Sequence, residues 1–311
     1  MDMELYQKYI LCVYESESLT QAAKKLGISQ PALSSGLNSV EKRLGFKIYD
    51  RKITPPRPTK EGEIYLEYLR KEQKIVEDYQ RQIADIHQME GGKFVVGGPV
   101  VYVESLIAKA VAEHHKRYPQ CEISIKNELV PELIEQMKKG EVDCFISTSD
   151  ELPEGFQKIV LKKEKIYLCI PRIWEINDKL AEYRVSVGEE GKGFDYQILD
   201  GLDFIFLEEN QPLQKEMRRF FEDNQIVPQN HLKVNQVSAA LRLTALGAGA
   251  SFVSEEALTG AGQTKEFFTY SLPNSISGRN IYVVCNGERY IPYACQELIR
   301  ILQEMCEEEY S

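Results

Sequence analysis

Long apolar runs are missing from this sequence: no stretch approaches the ~18 residues needed to cross a bilayer, so neither a membrane-spanning helix nor a membrane partner is expected. The opening MDMELYQKYI lacks a basic segment leading into an apolar one; export is therefore not expected, and the reading places the chain in the cytoplasm. Cysteine is neither abundant nor paired. Cys12, Cys121, Cys144, Cys169, Cys285, Cys295 and Cys306 are odd in number, scattered and never in C-x-x-C spacing, which excludes the usual disulfide and zinc patterns and leaves them as small buried hydrophobes. Catalytic constellations are lacking as well. No H-E-x-x-H, nucleophile elbow or Ser-His-Asp order occurs; His114 and His115 are adjacent and so point apart on a helix, and His87 and His231 have no partner near them in sequence. Gly247–Ser251, GAGAS, precedes an apolar run instead of opening a helix, and reads as a turn. Neither enzyme activity nor a metal or cofactor is expected.

A basic excess is also absent, since the net charge is −10. The charge is nevertheless uneven. Met1 to Lys60 holds ten Lys or Arg against six Asp or Glu, a net +4 that leaves −14 for the remainder. Such a chain brings one end toward phosphates while the rest stays soluble and is repelled from them. With 43% hydrophobic and 28% charged residues the composition is that of a folded protein, and 311 residues suffice for two or three domains.

The basic end has a recognisable grammar. Ser18-Leu19-Thr20 enters a short helix carrying Ala22, Ala23 and Leu26, and Gly27 is placed to end it in a left-handed conformation. Ser29 caps a second helix, Pro31 sits in its first turn, and Leu33, Leu37, Val40 and Leu44 form its apolar stripe up to Gly45. Gln30, Ser34, Ser35, Asn38 and Lys42 fall on other faces, where short polar side chains reach base edges and phosphates. Two amphipathic helices joined by a glycine also occur without DNA. Here the apolar run Phe46, Ile48, Tyr49 follows, then Arg51, Lys52 and Arg57 around Pro55-Pro56, a basic wing suited to phosphates. Gly36 in the helix interior costs about 1 kcal/mol relative to Ala, so either a close neighbour repays it or the helix is weakened there.

The run SLTQAAKKLGISQPALSSGLNSVEKRLGFKIYDR resembles the winged helix-turn-helix of LysR-type transcriptional regulators at Ser18, Leu19, Ala22, Ala23, Leu26, Ser29, Gln30, Pro31, Ser34, Glu41, Leu44, Gly45 and Arg51. The resemblance implies a DNA-binding set of Thr20, Gln30, Pro31, Ser34, Ser35, Asn38, Arg51 and Arg57 on double-stranded operator DNA. The family often has Arg after the Ser34 position; this chain has Ser35 and then Gly36, so a bidentate guanine contact is missing there.

Beyond the wing, Tyr65, Leu69, Val76, Tyr79, Ile83 and Ile86, with Glu72 interrupting, recur in steps of four and three, a heptad seam for pairing with another helix or, alternatively, the inner face of a helix packed on its own domain. In the family the segment resembles the linker helix that joins two copies, which implies a homo-oligomer, dimer or tetramer. After Gly91-Gly92 the texture becomes strand, helix, strand: FVVGG, Leu106 to His115, CEISIK, Glu132 to Lys139 and VDCFIST, then DFIFLEEN through GASFVS in the same rhythm, which predicts two α/β lobes with parallel sheets. The fold class is therefore α+β multidomain: a DNA-binding domain over 1–58, a linker helix over 59–90 and an effector domain over 91–311, with lobe I at 91–163 and 271–311 and lobe II at 164–270.

That layout resembles the family's effector domain, itself similar to periplasmic substrate-binding proteins. Ligands bind beyond the carboxyl ends of parallel strands, so Val100, Val101, Ser147, Thr148, Ser149, Asn210 and Gln236 are candidates to line a cleft for an unidentified small-molecule effector; their hydroxyls and amides serve equally well as helix caps. The Gly-rich stretch 184–201 reads as a loop near it. No cysteine lies between Cys169 and Cys285, which argues against peroxide sensing in lobe II. The resemblance implies a regulator whose operator binding responds to an effector and that meets RNA polymerase; the alternative is a cytoplasmic solute-binding module dimerised through its N-terminal helices without sequence-specific DNA binding.

Overall fold

Two serines start the helices that organise the N-terminal unit, as their spacing predicts. In the computed structural model, which describes residues 3–51, 53, 55–87, 92–189, 191–261, 265–272 and 278–308, Ser18 Oγ accepts from Gln21 N at the head of α2 (Leu19–Lys25) and Ser29 Oγ from Ala32 N at the head of α3 (Gln30–Leu44). Before them lies α1 (Met3–Tyr14). Gly27 (φ 68°) and Gly45 (φ 82°) stand in the left-handed region, Gly27 between the two helices and Gly45 as the cap of α3. Leu33, Leu37 and Val40 go inward onto Ile10, Val13, Ala22 and Ala23, while Leu44 packs at the margin. Short strands β1 (Tyr49–Asp50) and β2 (Arg57–Pro58) pair antiparallel and make the wing, leading into the 28-residue helix α4 (Lys60–His87). Lys52, Gly91 and Glu309–Ser311 lie outside the described residues.

Contacts divide the chain into Met1–Ile83 and Ala84–Ser311. In the second unit β3 (Lys93–Gly98) leads into one continuous helix built of α5 (Val100–Tyr102), a widened π turn over Val103–Ile107, and α6 (Ala108–Arg117). Then come β4 (Glu122–Asn127), α7 (Val130–Lys139), β5 (Cys144–Ser147) and β6 (Phe156–Glu164). With β12 (Arg279–Asn286) they form a five-stranded sheet, order β4-β3-β5-β12-β6, in which β3 is parallel to both β4 and β5, and β12 is antiparallel to β5 and β6. Helix α12 (Tyr293–Glu308) and α6 cover one face through Leu298, Leu302 and Ala110; α7 covers the other through Leu133 and Met137.

The chain leaves that sheet after Glu164 and enters a second one. There β7 (Ile166–Pro171) lies between β10 (Ser251–Ser254) and β11 (Phe267–Ser271), antiparallel to both. Around it run α8 (Ile176–Lys179), β8 (Asp203–Leu207), α9 (Pro212–Asp223), β9 (Gln229–Val234), α10 (Val237–Ala245) and α11 (Glu255–Ala261). The pair β8 and β9 is parallel, as the rhythm predicts. The antiparallel strands were not foreseen, because β7, β11 and β12 lie at the crossings between the sheets, outside the strand-helix-strand repeats that set a parallel period. The core here is aromatic: Phe204, Phe220, Phe221 and Phe252 meet edge to face or tilted at 4.9–6.1 Å between ring centroids.

The stretch 184–201 is stapled to this aromatic core and lines no part of the described clefts. Val185 N donates to Thr269 O, Gly188 N to Tyr167 OH and Gly191 N to Ser271 Oγ, while Phe194 and Tyr196 pack inward.

Candidate functional site

Gln30, Pro31, Ser35, Asn38, Thr20 and Arg57 are all exposed, and α3 presents its four on the faces left by the buried Leu33, Leu37 and Val40. Ser34 is half-buried, and Arg51 belongs to a different arrangement. Its guanidinium donates to Asn38 Oδ1 at 3.1 Å, Ser34 Oγ at 3.5 Å and Glu41 Oε2 at 2.5 Å. Glu41 is buried and also accepts from Lys47 Nζ at 2.9 Å and Ile48 N at 2.9 Å. Burial pushes its carboxyl up, but the hydrogen bonds from Lys47, Arg51 and Ile48 outweigh that and hold it below the usual carboxylate range. Ser34, Asn38 and Arg51 thus form one hydrogen-bonded set anchored on Glu41, which fixes the wing's first strand against α3. The sequence marked Glu41 only as part of a pattern; the absence of any other acid between Glu17 and Asp50 is the signal that singles it out.

Gly36 answers the question its position poses. A Cβ there would stand 3.0 Å from Tyr9 Cδ2 and 3.4 Å from Tyr6 Cε1, so glycine lets α1 cross close to α3. Gly62, which the sequence did not mark, is tighter: a Cβ would lie 2.0 Å from the Ile48 carbonyl oxygen, which itself accepts from Thr59 N. Thr59 Oγ1 accepts from Gly62 N at 2.9 Å and caps α4.

The seam on α4 is half as expected. Leu69 is a correction: it is 2% exposed and, with Leu66, completes the core of the N-terminal unit, because α1 reaches that far along α4. Tyr65 rests beside Phe46, and Glu72 accepts from Gln7 Nε2 at 2.8 Å. Past that point Val76, Tyr79, Ile83 and Ile86 are exposed in steps of three and four, with Ile75 beside them.

In the second unit a cleft of about 480 Å³ opens between the end of β5 and α9. Thr148, Ser149 and Asn210 line it, as the strand-end rule predicts. Val100, Val101 and Gln236 line a neighbouring hollow of about 300 Å³ that shares Pro99, Leu129 and Gln211 with the first. Ser147 is a correction: it is fully buried and its Oγ accepts from Ser149 N at 3.0 Å, turning the loop. Sequence reasoning placed a helix within the DFIFLEEN to GASFVS rhythm but missed that one face of α9 belongs to the cleft. Pro212, Lys215, Glu216 and Arg219 share one face and line the cleft, while Leu213, Met217 and Phe220 go inward. The i, i+3, i+4, i+7 spacing directly after a strand end carried that information.

Beneath the cleft a polar cluster occupies the crossing between the sheets. Glu164 is fully buried and accepts from Arg279 Nε at 2.7 Å and Tyr102 OH at 2.9 Å. Arg279 Nη1 lies 3.7 Å from Glu216. Burial pushes the Glu216 carboxyl up, partly offset by Arg279, and Glu164 raises it further. Among the described residues no group of three His, Cys, Asp or Glu could hold a metal, and no helix is long and apolar enough to cross a membrane.

Comparison with known proteins gives this geometry its place. Residues 7–63 match the model of the bacterial regulatory helix-turn-helix protein, lysR family, and residues 87–307 match the LysR substrate binding domain. Among curated relatives, a probable RuBisCO transcriptional regulator of Phaeodactylum tricornutum is 23% identical over 290 residues, covering 91% of this chain and 90% of its own. The Bacillus subtilis HTH-type transcriptional regulator YybE is 24% identical, covering 83% and 84%. Among solved structures, a full-length OxyR variant from Pseudomonas aeruginosa superposes with a TM-score of 0.66 at 18% identity, covering 97% of this chain and 98% of that one. Full-length CbnR complexed with its target DNA gives 0.60 at 18%, covering 98% and 99%. At these identities the structural likeness speaks for the fold, while the two family matches between them span most of the chain. The chain belongs to the LysR family of bacterial helix-turn-helix regulators.

Proposed function

We propose that this chain is a cytoplasmic transcriptional regulator that reads operator DNA as a homo-oligomer and answers to a small effector held in the cleft beside α9. The observation that carries the reading is α3: Gln30, Ser35 and Asn38 stand exposed above a buried stripe, with exposed Arg57 on the adjoining wing. Thr20, Gln30, Pro31, Ser34, Ser35, Asn38 and Arg57 are assigned to DNA, and Arg51 to holding Ser34 and Asn38 in place while it contributes at the wing. Val76, Tyr79, Ile83 and Ile86 pair two copies, so that two reading heads engage half-sites a helical turn or a multiple of it apart. The effector domain divides into lobe I, 91–163 and 271–311, and lobe II, 164–270, and its cleft uses Thr148, Ser149, Asn210, Val100, Val101 and Gln236. Effector binding favours one arrangement of the lobes over another and so shifts operator contacts or those with RNA polymerase.

Fluorescence anisotropy against DNA from upstream of the chain's own gene and against scrambled DNA, over several salt concentrations, tests the first half. Salt-sensitive binding with a preference for the native sequence is expected. Equal, weak binding to both would overturn it.

A further inference from the structure

The charged groups of the 480 Å³ cleft are not equivalent. Asp150 accepts from Tyr282 OH at 2.5 Å and lies 3.7 Å from Lys158. Glu151 stands out in solvent, 3.8 Å from Lys215. Glu216 differs from both. Its Oε2 is removed from solvent and has no hydrogen-bond partner, and the cation beside it, Arg279 at 3.7 Å, is too far to donate. Nor is Arg279 available to it. That guanidinium is already matched by Glu164, which holds it at 2.7 Å and takes the Tyr102 hydroxyl as well. Of the charged groups lining the cleft, Asp150, Glu151 and Glu216 stand against Lys215 and Arg219, one carboxylate in excess, and Glu216 is the carboxylate with a buried oxygen that no donor reaches. A carboxylate oxygen removed from solvent and left short of partners favours any donor that reaches it, and a cation most of all. Across the cleft Leu129, Val130, Pro131 and Ile134 offer an apolar wall.

We propose that the cleft takes a small ligand bearing a protonated amine on an apolar body, and that Glu216 is the residue that selects it. The inference rests on the reading of this cleft as the effector site. An anionic ligand would add to the excess of carboxylate over Lys215 and Arg219 in the lining, whereas an ammonium group gives Glu216 the donor it lacks and leaves the Arg279–Glu164 pair intact. The apolar wall then takes the ligand's body, which separates this class from free polyols.

The test is thermal unfolding of the full-length protein with millimolar phenethylamine or putrescine, set against the carboxylates hydrocinnamate and glutarate. The amines are expected to raise the melting temperature by ~2 °C or more, as a ligand of the native state does. They should do so less for putrescine, which lacks the ring, and not at all in Glu216→Gln, a variant that removes the surplus charge and is expected to fold. The shift should survive Glu104→Gln, which alters the separate 220 Å³ hollow lined by Val101, Leu241 and Phe267. Stabilisation by the carboxylates and not by the amines would overturn the inference and leave the cleft standing as an effector site of opposite preference. An amine shift that persists in Glu216→Gln would overturn the role of Glu216. No shift with any of the four, in protein that still binds DNA, would remove both the inference and the effector reading.

Discussion

Glu41 shows how one residue can join two elements that a sequence reads separately. It lies on α3, yet its hydrogen bonds go to Lys47, Ile48 and Arg51 around the wing's first strand. Glu41→Gln keeps the shape and removes the charge; the cost expected is about 2 kcal/mol, in the range of hydrogen bonds to charged groups, read as a lower denaturation midpoint of the N-terminal unit in the full chain. The pH dependence follows from the lowered carboxyl. An acid whose folded pKa lies below its unfolded one contributes stability above the unfolded pKa and loses it as pH falls through the folded value. Wild type and Glu41→Gln should therefore converge in acid and separate toward neutrality; parallel curves would show the charge is not what matters. Gly62 and Gly36 make a second residue-scale contrast. At Gly62 the obstruction is the Ile48 backbone carbonyl, which cannot rotate away, so Gly62→Ala should cost at least ~2 kcal/mol. At Gly36 the obstruction is the Tyr9 ring, so Gly36→Ala offsets a small displacement against a better helix former and should fall within ~1 kcal/mol of wild type. Neither value could be read from the sequence, because both depend on which distant atom faces the missing Cβ.

Elements whose identity rests on local chemistry were legible; those defined by what packs on them were not. Ser18 and Ser29 capped α2 and α3 at the expected places, Gly27 took the left-handed conformation expected of it and Gly45 ended α3 where expected, because caps and turns are decided within four residues. The strand-end rule found Thr148, Ser149 and Asn210 in the cleft, yet Ser147 is buried, since it is the last residue of β5, an inner strand whose four residues are all covered, and the cleft begins one residue later. Helix α4 is the clearest case. Its heptad steps run through the sequence with only Glu72 interrupting, but α1 covers the first turns and takes Leu69 inside, leaving the distal part of the seam exposed. The proposed seam is therefore Val76 to Ile86. Tyr79→Glu with Ile86→Glu places charges on that seam and leaves the N-terminal core untouched. Sedimentation of the double variant should show smaller assemblies at an unchanged melting temperature of the N-terminal unit; an unaltered assembly state would move the interface elsewhere.

At the scale of the whole molecule the uneven charge and the oligomer are one argument. A net +4 over the first 60 residues is a weak electrostatic handle for a chain that carries −14 elsewhere. In the proposed assembly, two copies held by α4 double the handle and require two half-sites at once, which would convert modest single-head affinity into specificity. On the proposed reading, base contacts belong to α3 and phosphate contacts to the wing. Gln30→Ala removes an exposed side chain from the reading face and should narrow the gap between operator and scrambled DNA by ~1–3 kcal/mol per half-site with the salt slope intact. Arg57→Ala removes an exposed wing cation and should weaken both DNAs alike, lowering the salt slope by about one per copy. The seam variant should lose more than either, because it abolishes the simultaneous engagement that both of them retain. If operator preference instead survives in the dissociated double variant, a single copy carries the specificity, and the weight placed on α4 belongs to α3 alone.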